Sequence, residues 1–120
     1  AIGRQHIALD LTPTAFVERI APARTFGFAQ DIEKLHAMGL ARGGGLHNAI
    51  VVDGDRVLNP EGLQWPDEFV RHKLLDVVGD LFLAGAPIEG GYTASAPGHA
   101  LNNRLLRAVL DDNQAYARVV

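Results

Sequence analysis

The chain has 120 residues, 48% of them hydrophobic and 21% charged, with a formal net charge of −3. That length suits one domain with a single core, and the composition argues against disorder as the default state. The small negative charge gives no basic footprint for nucleic acid, and the lack of any cysteine excludes disulfides and thiolate-bound zinc.

A cysteine-free chain fits a reducing compartment, so the cytoplasm is the expected location. No apolar run reaches the roughly 18 residues that a membrane span needs. No signal peptide is visible at the start. The chain does not begin with Met and opens inside what reads as a strand, so it is expected to be a piece of a longer protein.

His6 to Leu11 alternates, with Ile7, Leu9 and Leu11 on one side and His6, Ala8 and Asp10 on the other, which predicts a half-buried strand. His6 is expected to be exposed there. Thr12-Pro13 reads as a helix start, with Thr12 as N-cap and Pro13 at the first helical position. That helix runs through Phe16, Val17 and Ile20 until Pro22 stops it. Arg24 to Phe28 reads as a strand. Asp31 to Met38 reads as a short helix with acids in its first turn, Gly39 as its C-cap and His36 on its polar side.

Gly43-Gly44-Gly45 is a flexible loop that matches no phosphate-binding fingerprint, and His47 within it is expected to be exposed. Ala49 to Val52 and Arg56 to Leu58 flank Asp53-Gly54-Asp55, a hairpin signal with a turn of about three residues. Asn59-Pro60-Glu61-Gly62 is a further turn. A long helix opens at Trp65-Pro66-Asp67-Glu68 and ends at Gly85 with Pro87 beyond. Ile88 to Ser95 reads as a strand. Pro97-Gly98-His99 leads into a last helix with Leu101, Leu105, Ala108 and Val109 on its apolar face. Strands and helices without strict alternation argue an α+β fold, a mixed or antiparallel sheet packed with helices in two layers.

The long helix carries the chemistry. His72 and Asp76 stand four residues apart, which puts them one above the other on one helix face. Asp80 continues that edge and Lys73 lies beside it. The surrounding residues are apolar, so this stripe needs partners, and a metal ion or a substrate would supply them. Imidazole nitrogen and carboxylate oxygen suit zinc or a similar divalent metal. The same spacing also occurs in surface ion pairs. His99 follows a glycine at a helix N-terminus. If Asp80 reaches it, the charged imidazolium is favoured and His99 can act as a general acid; a capping or core histidine is the plainer alternative. Thr25 has a hydroxyl that can donate to a developing oxyanion, and its β-branch equally suits a strand.

Several segments together resemble one family. Ala23-Arg24-Thr25-Phe26-Gly27-Phe28, Asn48-Ala49-Ile50-Val51-Val52, Arg56-Val57-Leu58-Asn59, Phe69-Val70-Arg71-His72-Lys73-Leu74-Leu75-Asp76 and Gly98-His99-Ala100-Leu101-Asn102-Asn103 look like the second domain of the UDP-3-O-acyl-N-acetylglucosamine deacetylases of lipid A synthesis in Gram-negative bacteria. The resemblance covers nearly the whole chain in the family's order.

It implies a zinc amidase of two similar α+β domains, of which residues 1–120 form the second. His72 and Asp76 would be two of three zinc ligands. His99 would be the catalytic histidine, oriented by Asp80, and Thr25 would stabilise the oxyanion. Phe26 would line the site and Lys73 would sit near the nucleotide diphosphate. A β-α-β insert, about Phe28 to Val52, would form the passage for the acyl chain, lined by Ala29, Ile32, Ala41, Leu46 and Val51. The third ligand and the carboxylate that activates water belong to the family's first domain, so the isolated chain is expected to be inactive. Ala96 and Pro97 stand where the family often has a basic nucleotide-binding residue, and Gly45 replaces a more usual serine. A silent module that holds nucleotide-sugar or acyl ligand is the alternative, and a complete site with His99 as third ligand is another.

Overall fold

The computed structural model describes residues 2–40 and 43–119. Ala41, expected to line the acyl passage, lies outside the described residues. The chain divides into two compact units, Ala1–His72 and Lys73–Val120.

The first unit is built on a three-stranded mixed sheet in the order β1-β2-β3, which makes the fold α+β. Strand β1 (Phe26–Phe28) leads directly into helix α2 (Ala29–Ala37), and the chain returns as β2 (Ile50–Asp53), parallel to β1 with Phe26 opposite Ile50. This is the expected β-α-β insert. Parallel neighbours need such a crossover, because a tight turn can only reverse the chain. Helix α2 ends in a Schellman closure. Gly39 takes φ 76°, its N–H reaches the His36 carbonyl, and the Leu40 N–H reaches that of Leu35 at 2.7 Å.

Strand β3 (Arg56–Val57) pairs antiparallel with β2. Asp53 is opposite Arg56, so the turn holds only Gly54 and Asp55 rather than the three residues expected. Gly54 takes φ 59°, which a glycine at the first turn position allows without a Cβ clash. Buried Asn59 ties the entry of β2. Its Oδ1 accepts the Val51 N–H at 2.9 Å, and its Nδ2 donates to the Ala49 and Leu46 carbonyls.

The core of this unit is Ile50, Val52 and Phe69, with Ile2, Phe26, Val57 and Leu63 packed around them. Phe26 and Phe69 meet edge to face at 5.1 Å between ring centres. Helix α1 (Pro13–Ala15) starts as expected: the Thr12 hydroxyl accepts the Ala15 N–H at 3.1 Å. It widens to a π-helical turn over Phe16–Ile20, closed by the Ala21 N–H on the Phe16 carbonyl.

Helix α3 (Glu68–Leu81) crosses the boundary between the units and tightens into a 3-10 turn, Phe82–Ala84, which Gly85 closes with φ 82°. In the first unit, Gln5 serves its start: Oε1 accepts the Val70 N–H and Nε2 donates to the Pro66 carbonyl. The second unit contains the rest of α3 and helix α4 (His99–Leu110), with Gly98 as its extended N-cap.

Three expectations are corrected. Residues 6–11 form no strand. The alternation is real, since Ile7 and Leu9 are half-buried between exposed His6, Ala8 and Asp10, but it marks an extended segment without a ladder partner, and Leu11 is exposed. Residues 88–95 form no strand either. Gly90 and Gly91 interrupt the segment, Gly90 holds φ 158°, and Ile88 is exposed, so neither backbone nor burial favours pairing. In α4 the buried face carries Asn102 and Leu106, whereas Leu101 and Leu105 are exposed. The helical period is right, but the phase differs: Asn102, with two polar partners, and Leu106 lie on the buried side.

Candidate functional site

In the first unit, a buried ion pair holds the segment that leads through Thr25 into β1. The Glu68 side chain is 0% exposed and accepts from Arg24 three times: the backbone N–H and Nε at 3.0 Å on one oxygen, and Nη2 at 3.0 Å on the other. Gln64 adds its backbone N–H and its Nε2, each at 2.8 Å. Arg24 also reaches Glu61 at 2.9 Å and the Gly62 carbonyl. Burial alone would push the Glu68 carboxyl up. The hydrogen bonds from Arg24 and Gln64 outweigh it and hold the carboxyl below the usual range. The hydrogen bond to Glu68 pushes the Arg24 guanidinium up in turn.

This pair joins the first residue of α3 to the segment before β1. One turn further along α3, His72 bonds the same segment: its Nδ1 donates to the Ala23 carbonyl at 2.9 Å. A carbonyl only accepts, so Nδ1 carries a proton, and in the neutral ring the lone pair is then on Nε2. That is how an imidazole presents itself to a metal. Thr25 is exposed and stands one residue ahead of β1, where its carbonyl receives the Ile50 N–H at 2.8 Å. Phe26 is half-buried, its ring on Phe69.

Of the expected passage residues, Ala29 and Ile32 are half-buried, Leu46 is exposed and Val51 is buried. Ile32 lies over Gly27, where an added Cβ would stand 3.3 Å from its Cδ1. The insert leaves Phe28, Leu35, Met38, Leu40 and Leu46 exposed. A cleft of about 310 Å³ beside it is lined by Phe28, Ala29, Gln30, Asp31, Val52, Asp53 and Gly54.

In the second unit, His99 opens α4 and meets α3. Its Nδ1 donates to Asp80, 2.8 Å from Oδ2 and 3.0 Å from Oδ1. Its Nε2 stands 3.9 Å from Asp76 Oδ2, too far for a hydrogen bond. The ring therefore lies across two carboxylates spaced one helical turn apart. The His99 side chain is 72% exposed, and those of Asp80 and Asp76 are 18% and 25% exposed. This leaves Nε2 accessible to a bound molecule while Nδ1 is occupied. Lys73 is half-buried.

Two further residues, which sequence reasoning missed, stand behind Asp80. Asn102 Nδ2 donates to Asp80 Oδ2 at 3.0 Å, and Asn102 Oδ1 accepts the Tyr92 hydroxyl at 2.8 Å. Burial, and then the Asp80 charge, push the Tyr92 phenol up. The signal available was the spacing of His99 and Asn102, three residues apart and so on one side of a helix. Ahead of α4, Ala96 holds φ 48°, a left-handed conformation that a non-glycine residue adopts at a cost.

The donor types of His72 and Asp76, both within α3, fit zinc. Among the described residues no group of three His, Cys, Asp or Glu gathers to hold a metal ion. Nor, among them, is any helix long and apolar enough to cross a membrane.

Residues 1–111 match the family described as LpxC, UDP-3-O-acyl N-acetylglycosamine deacetylase. Three relatives, each called UDP-3-O-acyl-N-acetylglucosamine deacetylase, illustrate the likeness. The protein of Phenylobacterium zucineum (strain HLK1) is 58% identical over 109 residues, 91% of this chain and 37% of the relative. That of Shewanella sp. (strain W3-18-1) is 53% identical over 99% of this chain and 39% of the relative. That of Neisseria meningitidis serogroup C / serotype 2a (strain ATCC 700532 / DSM 15464 / FAM18) is 54% identical over 92% of this chain and 36% of the relative. The chain thus spans less than two fifths of the length of these curated relatives. On a match that takes in almost all of its length, this chain belongs to the UDP-3-O-acyl-N-acetylglucosamine deacetylase family.

Proposed function

We propose that the chain is the second domain of a zinc-dependent amidase, which removes acetate from UDP-3-O-acyl-N-acetylglucosamine and leaves the free amine. The observation that carries the reading is His99, with Nδ1 on Asp80 and Nε2 open. A binding module has no need of a histidine oriented by a carboxylate; a general acid does.

His72 and Asp76 would hold the zinc, with a third ligand from the domain that the longer relatives carry. Zinc, when bound, would polarise the amide carbonyl and acidify a water molecule. Thr25 donates its hydroxyl to the oxygen on which charge develops. His99 delivers a proton from Nε2 to the leaving amine, and Asp80 holds the ring through Nδ1 and balances its charge. The hydrogen bond from His72 Nδ1 to the Ala23 carbonyl would fix the ring's orientation and leave Nε2 as the nitrogen that binds the metal. The carboxylate that takes the water's proton belongs to the other domain.

Lys73 is assigned to the nucleotide diphosphate, and Phe26 to the wall of the site. The insert, with Ala29, Ile32, Ala41, Leu46 and Val51, is assigned to the acyl chain. Its exposed Leu35, Met38 and Leu40 support an apolar ligand there. The cysteine-free sequence supports a cytoplasmic setting.

The test is acetate release from UDP-3-O-acyl-N-acetylglucosamine with added zinc, comparing the 120-residue chain with the full-length protein. The full-length protein should turn over and the chain alone should not. Turnover by the pure chain would show that no group from another domain is needed and would overturn the division of labour.

A further inference from the structure

Asn102 is 1% exposed in the first turn of α4, where leucine would bury more apolar area. A buried amide is tolerated only when both its ends are satisfied. Here both are, and by groups that fix its orientation. Asp80 is a carboxylate and can only accept, so Nδ2 must face it; the Tyr92 hydroxyl then donates to Oδ1. A flipped amide would set Oδ1 against the Asp80 carboxylate and lose that bond.

Asp80 Oδ2 thus receives two donors, Asn102 Nδ2 at 3.0 Å and His99 Nδ1 at 2.8 Å. His99 alone is a weak anchor for Asp80, because its side chain is itself 72% exposed. The buried amide is the fixed point, and the carboxylate is aimed from it.

We propose that Asn102 is a positioning residue for the reaction, holding Asp80 so that its carboxylate meets His99 Nδ1, with Tyr92 locking the Asn102 amide. The proposal rests on the reading that His99 and Asp80 act in the chemistry. The order is Tyr92 to Asn102 to Asp80 to His99, ending at the accessible histidine. Only His99 touches substrate.

The experiment uses the zinc-loaded full-length protein and its acyl-nucleotide substrate. The double variant Tyr92→Phe/Asn102→Leu removes both polar partners together and leaves no orphaned hydroxyl. The expected result is a kcat about tenfold lower or more, part of the roughly 10²–10⁴ that a positioned acid contributes, with KM nearly unchanged. The low-field NMR signal of His99 Nδ1–H, assigned by its absence in Asp80→Asn, should broaden or vanish. In an Asp80→Asn background the same double change should cost little more, because the groups act as one unit.

A purely structural Asn102 would lower the melting temperature while kcat per folded molecule and the His99 signal stay as they were, and that outcome overturns the proposal. So does a full additional loss of kcat in the Asp80→Asn background. An Asp80→Asn variant with normal kcat would instead bring down the functional reading on which the proposal rests.

Discussion

His99 Nδ1 stands 2.8 Å from Asp80 Oδ2, and the two residues come from different helices, α4 and α3. The bond settles which face of the ring is spent on the protein and which is left for a ligand. A histidine at the first position of a helix needs no carboxylate for folding, which fits the proposed role of the imidazole.

Removing that carboxylate should slow the reaction and spare the fold. Asp80→Asn in the full-length protein is expected to lower kcat by about 10²-fold or more, within the range for a general acid, with a melting temperature close to that of the parent. Steady-state kinetics beside thermal unfolding would check this. Unchanged kcat in a folded variant would remove His99 and Asp80 from the mechanism.

Thr25 separates two roles by a change of one hydroxyl. Thr25→Val keeps the β-branched shape at this exposed position ahead of β1, so stability should stay within about 0.5 kcal/mol. If the hydroxyl stabilises the oxyanion, kcat should fall by about 10²–10³, and Thr25→Ser should recover most of it. Equal kcat for Val and Thr would remove the hydroxyl from the mechanism.

The Arg24–Glu68 pair should dominate acid stability of the first unit. Glu68 has its carboxyl lowered in the folded chain, so its stabilisation is present above the unfolded value, about 4.3, and is lost as pH falls through the lower folded value. Breaking the pair by Arg24→Ala strands a buried carboxylate and should cost about 3–5 kcal/mol at neutral pH. Urea unfolding between neutral and acidic pH should show the gap between parent and variant closing below the ordinary carboxylate range. A gap independent of pH would contradict the assignment.

Tyr92 gives a second pH signature with the opposite direction. Its phenol is raised, so its neutral form favours the fold below about pH 10, and that stabilisation is lost as pH climbs through the raised folded value. Difference absorbance of the parent against Tyr92→Phe should show one tyrosine ionising later than a free phenol. Ionisation at the ordinary value would place the hydroxyl in water rather than on Asn102.

Much of this architecture was legible in local chemistry. Thr12-Pro13, Gly39, Gly54 and Gly85 each mark a boundary because cap and turn geometry depends on one or two residues. The β-α-β insert followed from the family resemblance, and the His72–Asp76 spacing from the helical repeat. What a single sequence could not disclose was pairing at a distance. Arg24 and Glu68 are 44 positions apart, and each alone reads as an ordinary surface charge. His6 to Leu11 alternates as a strand does, but a strand also needs a partner edge, which periodicity does not report. In α4 the leucines suggested the buried face, whereas Asn102, with its two partners, lies on it instead of Leu101 and Leu105.

Zinc titration by calorimetry, on this chain and on His72→Ala and His99→Ala, tests the central claim most directly. The account predicts weak binding that disappears in His72→Ala and survives in His99→Ala, as a partial site completed by another domain requires. Tight one-to-one binding that also depends on His99 would contradict it, since the histidine assigned to proton transfer would then be a metal ligand.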